Sequence, residues 1–308
     1  MIDPLSVAAD VLVAAVGIAT PLALAATGET IAERSGVVNL GIEGAMLFGA
    51  LGGAIGATVA GPAAGLGAGM LAGVLVAALF AAVAIGAGAD QIITGTAVTL
   101  ASVGLTGTIY RKFYGPAGVG LSLPTLPPLP VPILSDTPLI GNALFVQPAT
   151  TYLAVALIPL SWALLFRTRF GLALRAVGED PSAARAAGIP VRPTRAVAVL
   201  LGGALAGLAG ATLVLAQVGT FTERMTAGRG FIAIAIVVLG RWNPVGAGWA
   251  ALLFGLATAL QFALQAAGYK VPYQFFLMFP YLLTLLALAG AVGRVKAPAA
   301  LGRNEGQR

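Results

Sequence analysis

Asn39 and Glu43 are the residues whose types and spacing could do chemistry in an otherwise apolar chain. They stand four apart in "ERSGVVNLGIEGAMLFGALGG" (Glu33–Gly53), a stretch that opens on charge and then turns apolar. Four residues apart on a helix means one shared face. A carboxylate near the centre of a membrane helix costs a few kcal/mol or more, so it normally turns to the protein interior or a water-filled path. Gly36, Gly41 and Gly44 would let the backbone unwind or pack closely there. An unwound turn is tolerated at membrane depth where it lines a cavity. Two readings stand. In one, Asn39 and Glu43 line a pathway. In the other, Glu43 caps or cross-links neighbouring helices, with Arg34 a possible partner. Proton coupling through Glu43 is disfavoured, because no second buried carboxylate or His is expected for a relay; Asp10 and Asp90 fall near helix ends.

The surrounding chain is a membrane protein by composition. Of 308 residues 58% are hydrophobic and only 9% charged, against roughly a quarter charged in soluble domains. There is no Cys and no His, which excludes thiol nucleophiles, disulfides and imidazole metal sites. No GxxxxGK[ST] occurs, so any ATP used is bound by another chain. The N-terminus lacks a positive stretch, so a cleaved signal peptide is not expected.

Nine apolar segments follow: Ser6–Thr27, Val37–Ala60, Ala63–Ala87, Ile92–Tyr110, Ala149–Phe166, Ala196–Val218, Thr226–Leu239, Ala247–Ala266 and Gln274–Val292. The expected architecture is all-α: one transmembrane domain over residues 1–308, with about nine (eight to ten) spans, some broken or re-entrant. Segment seven is short. "GFIAIAIVVLG" (Gly230–Gly240) suits a half-helix, and it could cross only if the preceding "TAGR" is drawn in. Basic loops stay in the cytoplasm. With the Arg-rich stretch 167–195 inside, twelve of the 17 Lys and Arg fall inside and five outside, giving an outer N-terminus and an inner C-terminus and supporting segment seven as a crossing. The net charge of +6 is then a topology signal with some attraction to lipid headgroups, and nucleic acid is not expected as a partner. Trp162, Trp242 and Trp249 fit an inner aromatic belt, and Tyr110, Tyr269 and Tyr273 an outer one. The outer stretch 115–148 holds six Pro between Leu121 and Asn142; it is either a lid or docking surface or a stiff connector.

Gly49 and Gly53, and Gly203 and Gly207, are spaced as GxxxG, which lets helices approach closely. "GEDPSAARAAGIP" (Gly178–Pro190) reads as one short capped helix, with Asp180 at the N-cap, Pro181 at the first position and Gly188 as the stop. Its Ala-rich faces suit docking into a protein groove better than lying on a membrane; an inert connector is the plainer reading. A coarse internal echo pairs "ERSGVVNLGIEG" with "ERMTAGRGFIAIAIVVLG" (Glu223–Gly240), each an interrupted segment after a charged turn, the pattern that marks sites built from broken helices.

"ERSGVVNLGIEGAMLFGA", "RAVGEDPSAARAAGIPVRPTRAVAVLLGGALAGLAGA" and "GRGFIAIAIVVLGRWNPVGA" resemble the inner-membrane permeases of bacterial ABC importers, in the branch that groups simple-sugar, nucleoside and branched-chain amino-acid permeases. The likeness runs from about Glu29 to Gly246, and the first stretch is most similar to nucleoside-type members. The resemblance implies a subunit with no catalytic site and no bound cofactor. ATP and Mg would sit on partner ABC ATPases, and an external substrate-binding lipoprotein would deliver cargo. A second homologous permease would complete a heterodimer. It places ATPase coupling on Glu179, Asp180, Pro181, Ala184, Arg185, Ala187 and Gly188. The pattern departs from the fuller EAA motif of other importers. Phe48 and Phe231 are candidates for stacking on a base beside Asn39 and Glu43, or are ordinary lipid and core contacts. Alternatives are a sugar or branched-chain amino acid as cargo, or a secondary transporter or channel, which would want a chain of buried ionisable groups. An intramembrane enzyme lacks the nucleophile or metal ligands it would need.

Overall fold

The computed structural model describes residues 4–115, 122–132, 134, 135, 137, 140–266, 274, 275, 278, 282 and 297–303. They form α1 (Pro4–Arg34), α2 (Ile42–Ala81), α3 (Gln91–Tyr114), β1 (Pro128–Pro130), α4 (Ile140–Phe145), β2 (Val146–Pro148), α5 (Ala149–Arg167), α6 (Arg169–Glu179), α7 (Pro181–Ala186), α8 (Val191–Thr212), α9 (Arg229–Leu239) and α10 (Pro244–Ala266). Single π-helical turns extend α2 through Ala82–Gly86 and α8 through Leu213–Val218. Six of the helices are long and apolar enough to cross a bilayer, and α9 is a seventh, shorter apolar helix. The ninth expected segment, Gln274–Val292, lies outside the described residues apart from a few positions.

α2 contains two of the expected segments. Its axis breaks at Ala60 and Gly61, with Gly61 at φ 84°, and Pro62 follows. Proline removes a helical N–H and glycine accepts the left-handed backbone, so the chain can reverse there. It does reverse: a Cβ on Gly53 would stand 3.7 Å from the carbonyl of Gly65, and one on Gly52 would stand 3.0 Å from that of Ala68. Residues 42–59 and 62–81 are therefore antiparallel limbs of a helical hairpin. On the second limb Gly65, Gly69 and Gly73 face inward and are buried, while Leu71, Leu75 and Leu79 recur every four residues and are exposed. Small residues to the bundle and leucine outward is the arrangement lipid favours.

α8 is the most buried of the six long helices and α5 the least. α8 lies along both limbs of α2. A Cβ on Gly49 would stand 2.3 Å from the Gly207 carbonyl, and one on Gly203 would stand 2.8 Å from that of Gly73. Both separations are below any real Cβ contact, so each position is closed to larger residues. Gly53 backs onto Ala211 in the same seam. α10 packs on α1 through Gly255 against Ala15.

Two expected loops are more structured than their sequence shows. The stretch 167–195 is not a loop with one helix; it holds α6, α7 and the first turn of α8, which starts at Val191 with Pro193 tolerated in that turn. Thr168 caps α6 by accepting from the Gly171 N–H at 3.0 Å. The stretch 115–148 contributes, among its described residues, α4 and a small antiparallel pair in which Pro128 faces Pro148 and Pro130 faces Val146. Tyr152 fastens this pair by donating to the Leu129 carbonyl at 2.9 Å.

Candidate functional site

α1 ends at Arg34, and the chain then runs unwound through Val37–Asn39 before α2 begins at Ile42. Gly36 makes the exit with φ 87°, a backbone that L side chains rarely adopt. The unwound stretch is buried: Val37 is 0% and Asn39 2% exposed. Buried backbone groups need partners, and three side chains from two helices, α1 and α3, supply them. Glu29 accepts from the Asn39 N–H at 3.0 Å, Gln91 accepts from the Val38 N–H at 2.9 Å, and Thr99 donates to the Leu40 carbonyl at 2.9 Å. Asn39 itself accepts from the Gly41 N–H at 3.0 Å, a local turn that starts α2. Asn39 therefore precedes the helix, and it does not share a helix face with Glu43 as the spacing predicts. The glycine-softened turn has moved it off that face.

Glu43 sits in the first turn of α2 and is 5% exposed. Its carboxylate accepts three hydrogen bonds from the far part of the chain. Thr226 Oγ1 and the Gly228 N–H donate to Oε1 at 2.6 and 2.8 Å, and the Gly230 N–H donates to Oε2 at 2.6 Å. These donors are the start of α9. The N-cap of α9 is Gly228, in left-handed conformation and with no side chain to cap with. The first N–H groups of a helix lack partners and carry the positive end of its dipole. Glu43 satisfies both needs from another helix. Gly230 lets it close in, since a Cβ there would stand 2.6 Å from Glu43 Cα.

The other end of α9 is fastened by α1. Trp242 donates its indole N–H to Glu33, and Arg34 Nε donates to the Trp242 carbonyl at 2.6 Å. Trp242 is 5% exposed, so it belongs to this junction and not to an aromatic belt. Arg34 thus serves the far end of α9 and does not pair with Glu43. Four non-glycine residues with positive φ bracket α9: Arg224 and Ala227 before it, Arg241 and Trp242 after it. Such backbone persists only where surrounding contacts over-determine it. α9 has 11 residues, about 16 Å of helix, against a hydrocarbon core of about 30 Å. By length α9 is a half-helix, and Thr226 of the preceding "TAGR" is buried at 1% exposed. The two echoing stretches of the sequence meet here, Glu43 of one against Thr226, Gly228 and Gly230 of the other.

The remaining candidates fall elsewhere. Phe48 is half-buried against the main core, whereas Phe231 on α9 is 44% exposed, so the two rings do not share an environment. Sequence reasoning did not single out Glu29 and Glu33, which are 0% and 2% exposed on one face of α1. Its first segment stops at Thr27 because charge follows, but α1 continues past both. The i,i+4 spacing of the two acids was the available signal. With Glu43 they make three buried carboxylates around the junction, so the expectation that Glu43 has no buried carboxylate near it is corrected.

A second group of candidates lies at α7. Asp180 is its N-cap, accepting from the Ser182 and Ala183 N–H groups at 2.9 and 3.0 Å. Those bonds, the Ala183 one foremost, hold the Asp180 carboxyl below its usual range. Pro181 is the first helical residue, Ala187 the C-cap, and Gly188 the left-handed stop at φ 80°. Glu179 ends α6 and is not part of α7. Ala184 is buried with Val177 and Val191, so it seats α7 on α6 and α8. Arg185 and Ala187 point outward.

A family model described as branched-chain amino acid transport system / permease component matches residues 11–288. The chain belongs to this permease family. Among its relatives are the guanosine ABC transporter permease protein NupQ of Bacillus subtilis, 39% identical over 92% of each chain, and the nucleoside ABC transporter permease protein NupC of Lactococcus lactis, 38% identical over 92% of this chain and 93% of that one. The putative glucose ABC transporter permease protein TsgC13 of Haloferax volcanii is 41% identical over 95% of this chain and 94% of that one. No solved structure matches significantly. This permease is therefore a multi-pass membrane protein of ABC transport systems.

Proposed function

We propose that this permease forms half of the translocation path of a bacterial inner-membrane importer for nucleosides. In this reading a second homologous permease supplies the other half, an external lipoprotein delivers cargo, and ABC ATPases hold the Mg and ATP. The observation that carries the reading is the pairing of a polar, half-helix junction inside the bundle with a self-capped α7 on its surface. Each has a use in alternating access. α7 offers Arg185 and Ala187 to an ATPase groove, and its cap keeps it a rigid handle. The Glu43–α9 junction holds an unwound backbone and buried acids within the bundle, where a ribose and base edges could exchange hydrogen bonds with the chain. The Lys and Arg asymmetry supports α7 on the cytoplasmic side and the Pro-rich stretch outside.

Nucleosides are favoured because two relatives from different genera carry nucleoside names. A sugar is the second reading, favoured by the glucose name of an equally similar relative. The two classes share vicinal hydroxyls and differ in the base. Uptake of labelled guanosine should fall at least tenfold when the gene is deleted, and should be competed by adenosine but not by ribose, glucose or leucine. Unchanged uptake in cells lacking another nucleoside system discards the nucleoside, and competition by glucose moves the assignment to sugars.

A further inference from the structure

Residues 297–303 pack at one end of the bundle. Two overlapping turns shape them, the Leu301 N–H donating to the Pro298 carbonyl and the Arg303 N–H to the Ala300 carbonyl, at 3.0 and 3.1 Å. This short strap touches four separate elements. The Ala300 N–H donates to the Gly178 carbonyl of α6 at 2.9 Å, and the Gly302 N–H to the Gly36 carbonyl of the α1–α2 turn at 3.0 Å. The Arg303 carbonyl accepts from Arg195 Nη1 of α8 at 3.1 Å and from Gln91 Nε2 of α3 at 3.5 Å. The Ala299 N–H reaches Glu179 at 3.4 Å, and Ala300 is 4% exposed.

Arg195 makes the strap more than a surface decoration. It is 3% exposed, and its Nε donates to the Ser35 carbonyl at 3.2 Å while Nη1 holds the strap. A buried guanidinium is costly unless it is well bonded, and its planar fork can serve two carbonyls at fixed angles. Ser35 and Gly36 lead straight into the unwound stretch that precedes α2 and Glu43. Gly178 and Glu179 lead straight into Asp180 and α7. The strap's main-chain bonds to Gly178 and Gly36, with the side-chain bonds of Arg195 beside them, thus bind the root of α7 to the root of the α9 junction.

We propose that residues 297–303 form a strap, with Arg195 as its positioning residue, that makes α6–α7 and the α1–α2 junction move as one body. The proposal rests on the coupling role of α7. A displacement of α7 by an ATPase then reaches Gly36 and the unwound stretch directly, without passing along a whole transmembrane helix.

The test uses the full complex in proteoliposomes with its ATPase, lipoprotein and labelled guanosine. The variants are a chain ending at residue 296, Arg195→Met and Arg195→Lys. Hydrogen exchange is read on the permease, and uptake is read per ATP hydrolysed. The truncation and Arg195→Met should speed exchange at residues 176–187 at least tenfold. They should cut guanosine moved per ATP at least fivefold while hydrolysis stays within twofold. Arg195→Lys should recover part of the ratio, because lysine can still reach one carbonyl. Unchanged exchange overturns the strap. Faster exchange with an unchanged transport ratio overturns its coupling role. If the unaltered complex moves no guanosine, the cargo assignment fails, and the exchange readout alone still decides whether the strap holds α6 and α7.

Discussion

The Glu43–α9 junction and α7 solve the same local problem, a helix start without partners, in opposite ways. α7 caps itself. Asp180 lies in the residue before the helix and accepts from N–H groups two and three positions on. α9 starts at a glycine with no cap of its own, and its donors are served by a carboxylate more than 180 residues away in the chain. A self-capped helix keeps its shape while it moves as a unit. A helix capped from elsewhere is tied to the element that caps it. The surface helix α7 is therefore built from local bonds, and the interior junction from long-range ones.

Breaking the long-range cap should have the largest effect. Glu43→Ala leaves three donors without their acceptor, and each buried group left unpaired costs about 1–3 kcal/mol. We expect thermal unfolding of the detergent-solubilised protein to drop by several degrees and guanosine uptake to fall below a hundredth; unchanged uptake would remove Glu43 from the account. Gly230→Ala tests the same contact from the other side. Its Cβ would meet Glu43 Cα at 2.6 Å, so α9 must shift, and a tenfold loss of uptake at normal membrane levels is expected, read by transport assay beside an immunoblot. Gly36→Ala should cost about 1–2 kcal/mol for the left-handed backbone alone, lowering stability with a smaller, several-fold loss of uptake.

Breaking the local cap should be milder and different in kind. Asp180→Ala should lower stability only slightly, by the loss of one N-cap, and lower guanosine-stimulated ATP hydrolysis a few-fold. The pH dependence follows from the cap geometry. The Ala183 and Ser182 N–H bonds lower the folded pKa of Asp180. The stabilisation they bring is present above the ordinary aspartate value of about 3.9 and is lost as pH falls through the depressed one. The Ser182 and Ala183 amide signals in nanodiscs should thus hold steady from pH 8 to 5. A change near neutrality would contradict the assignment of the cap.

What the sequence revealed follows the same division. α7 was legible to within a residue or two because Asp180, Pro181 and Gly188 are local signals that no tertiary contact has to complete. The break in α2 was legible as the gap between the segments ending at Ala60 and starting at Ala63, and close helix packing at Gly49 and Gly207 in their GxxxG spacing, though not that the two pack on each other. The half-helix was legible in the brevity of its apolar run. What held α9 was not. Glu29 and Glu33 read as a charged end because their burial depends on the unwound stretch and on Trp242 folding over them. Trp242 read as a belt residue for the same reason. Glu43 stood out by type, but its partners lie where no spacing rule reaches. The strap at 297–303 carries no pattern, since backbone groups make most of its bonds.

The most direct test of this division is to compare Glu43→Gln with Asp180→Ala in one preparation, reading guanosine uptake and co-purification of the ATPase subunit together. Glutamine keeps one acceptor oxygen but turns an N–H₂ toward one of the donors, so α9 loses part of its cap while α7 is untouched. The account predicts that Glu43→Gln loses most uptake and still retains the ATPase, and that Asp180→Ala weakens retention of the ATPase. Release of the ATPase by Glu43→Gln, or full uptake with that variant, would contradict it.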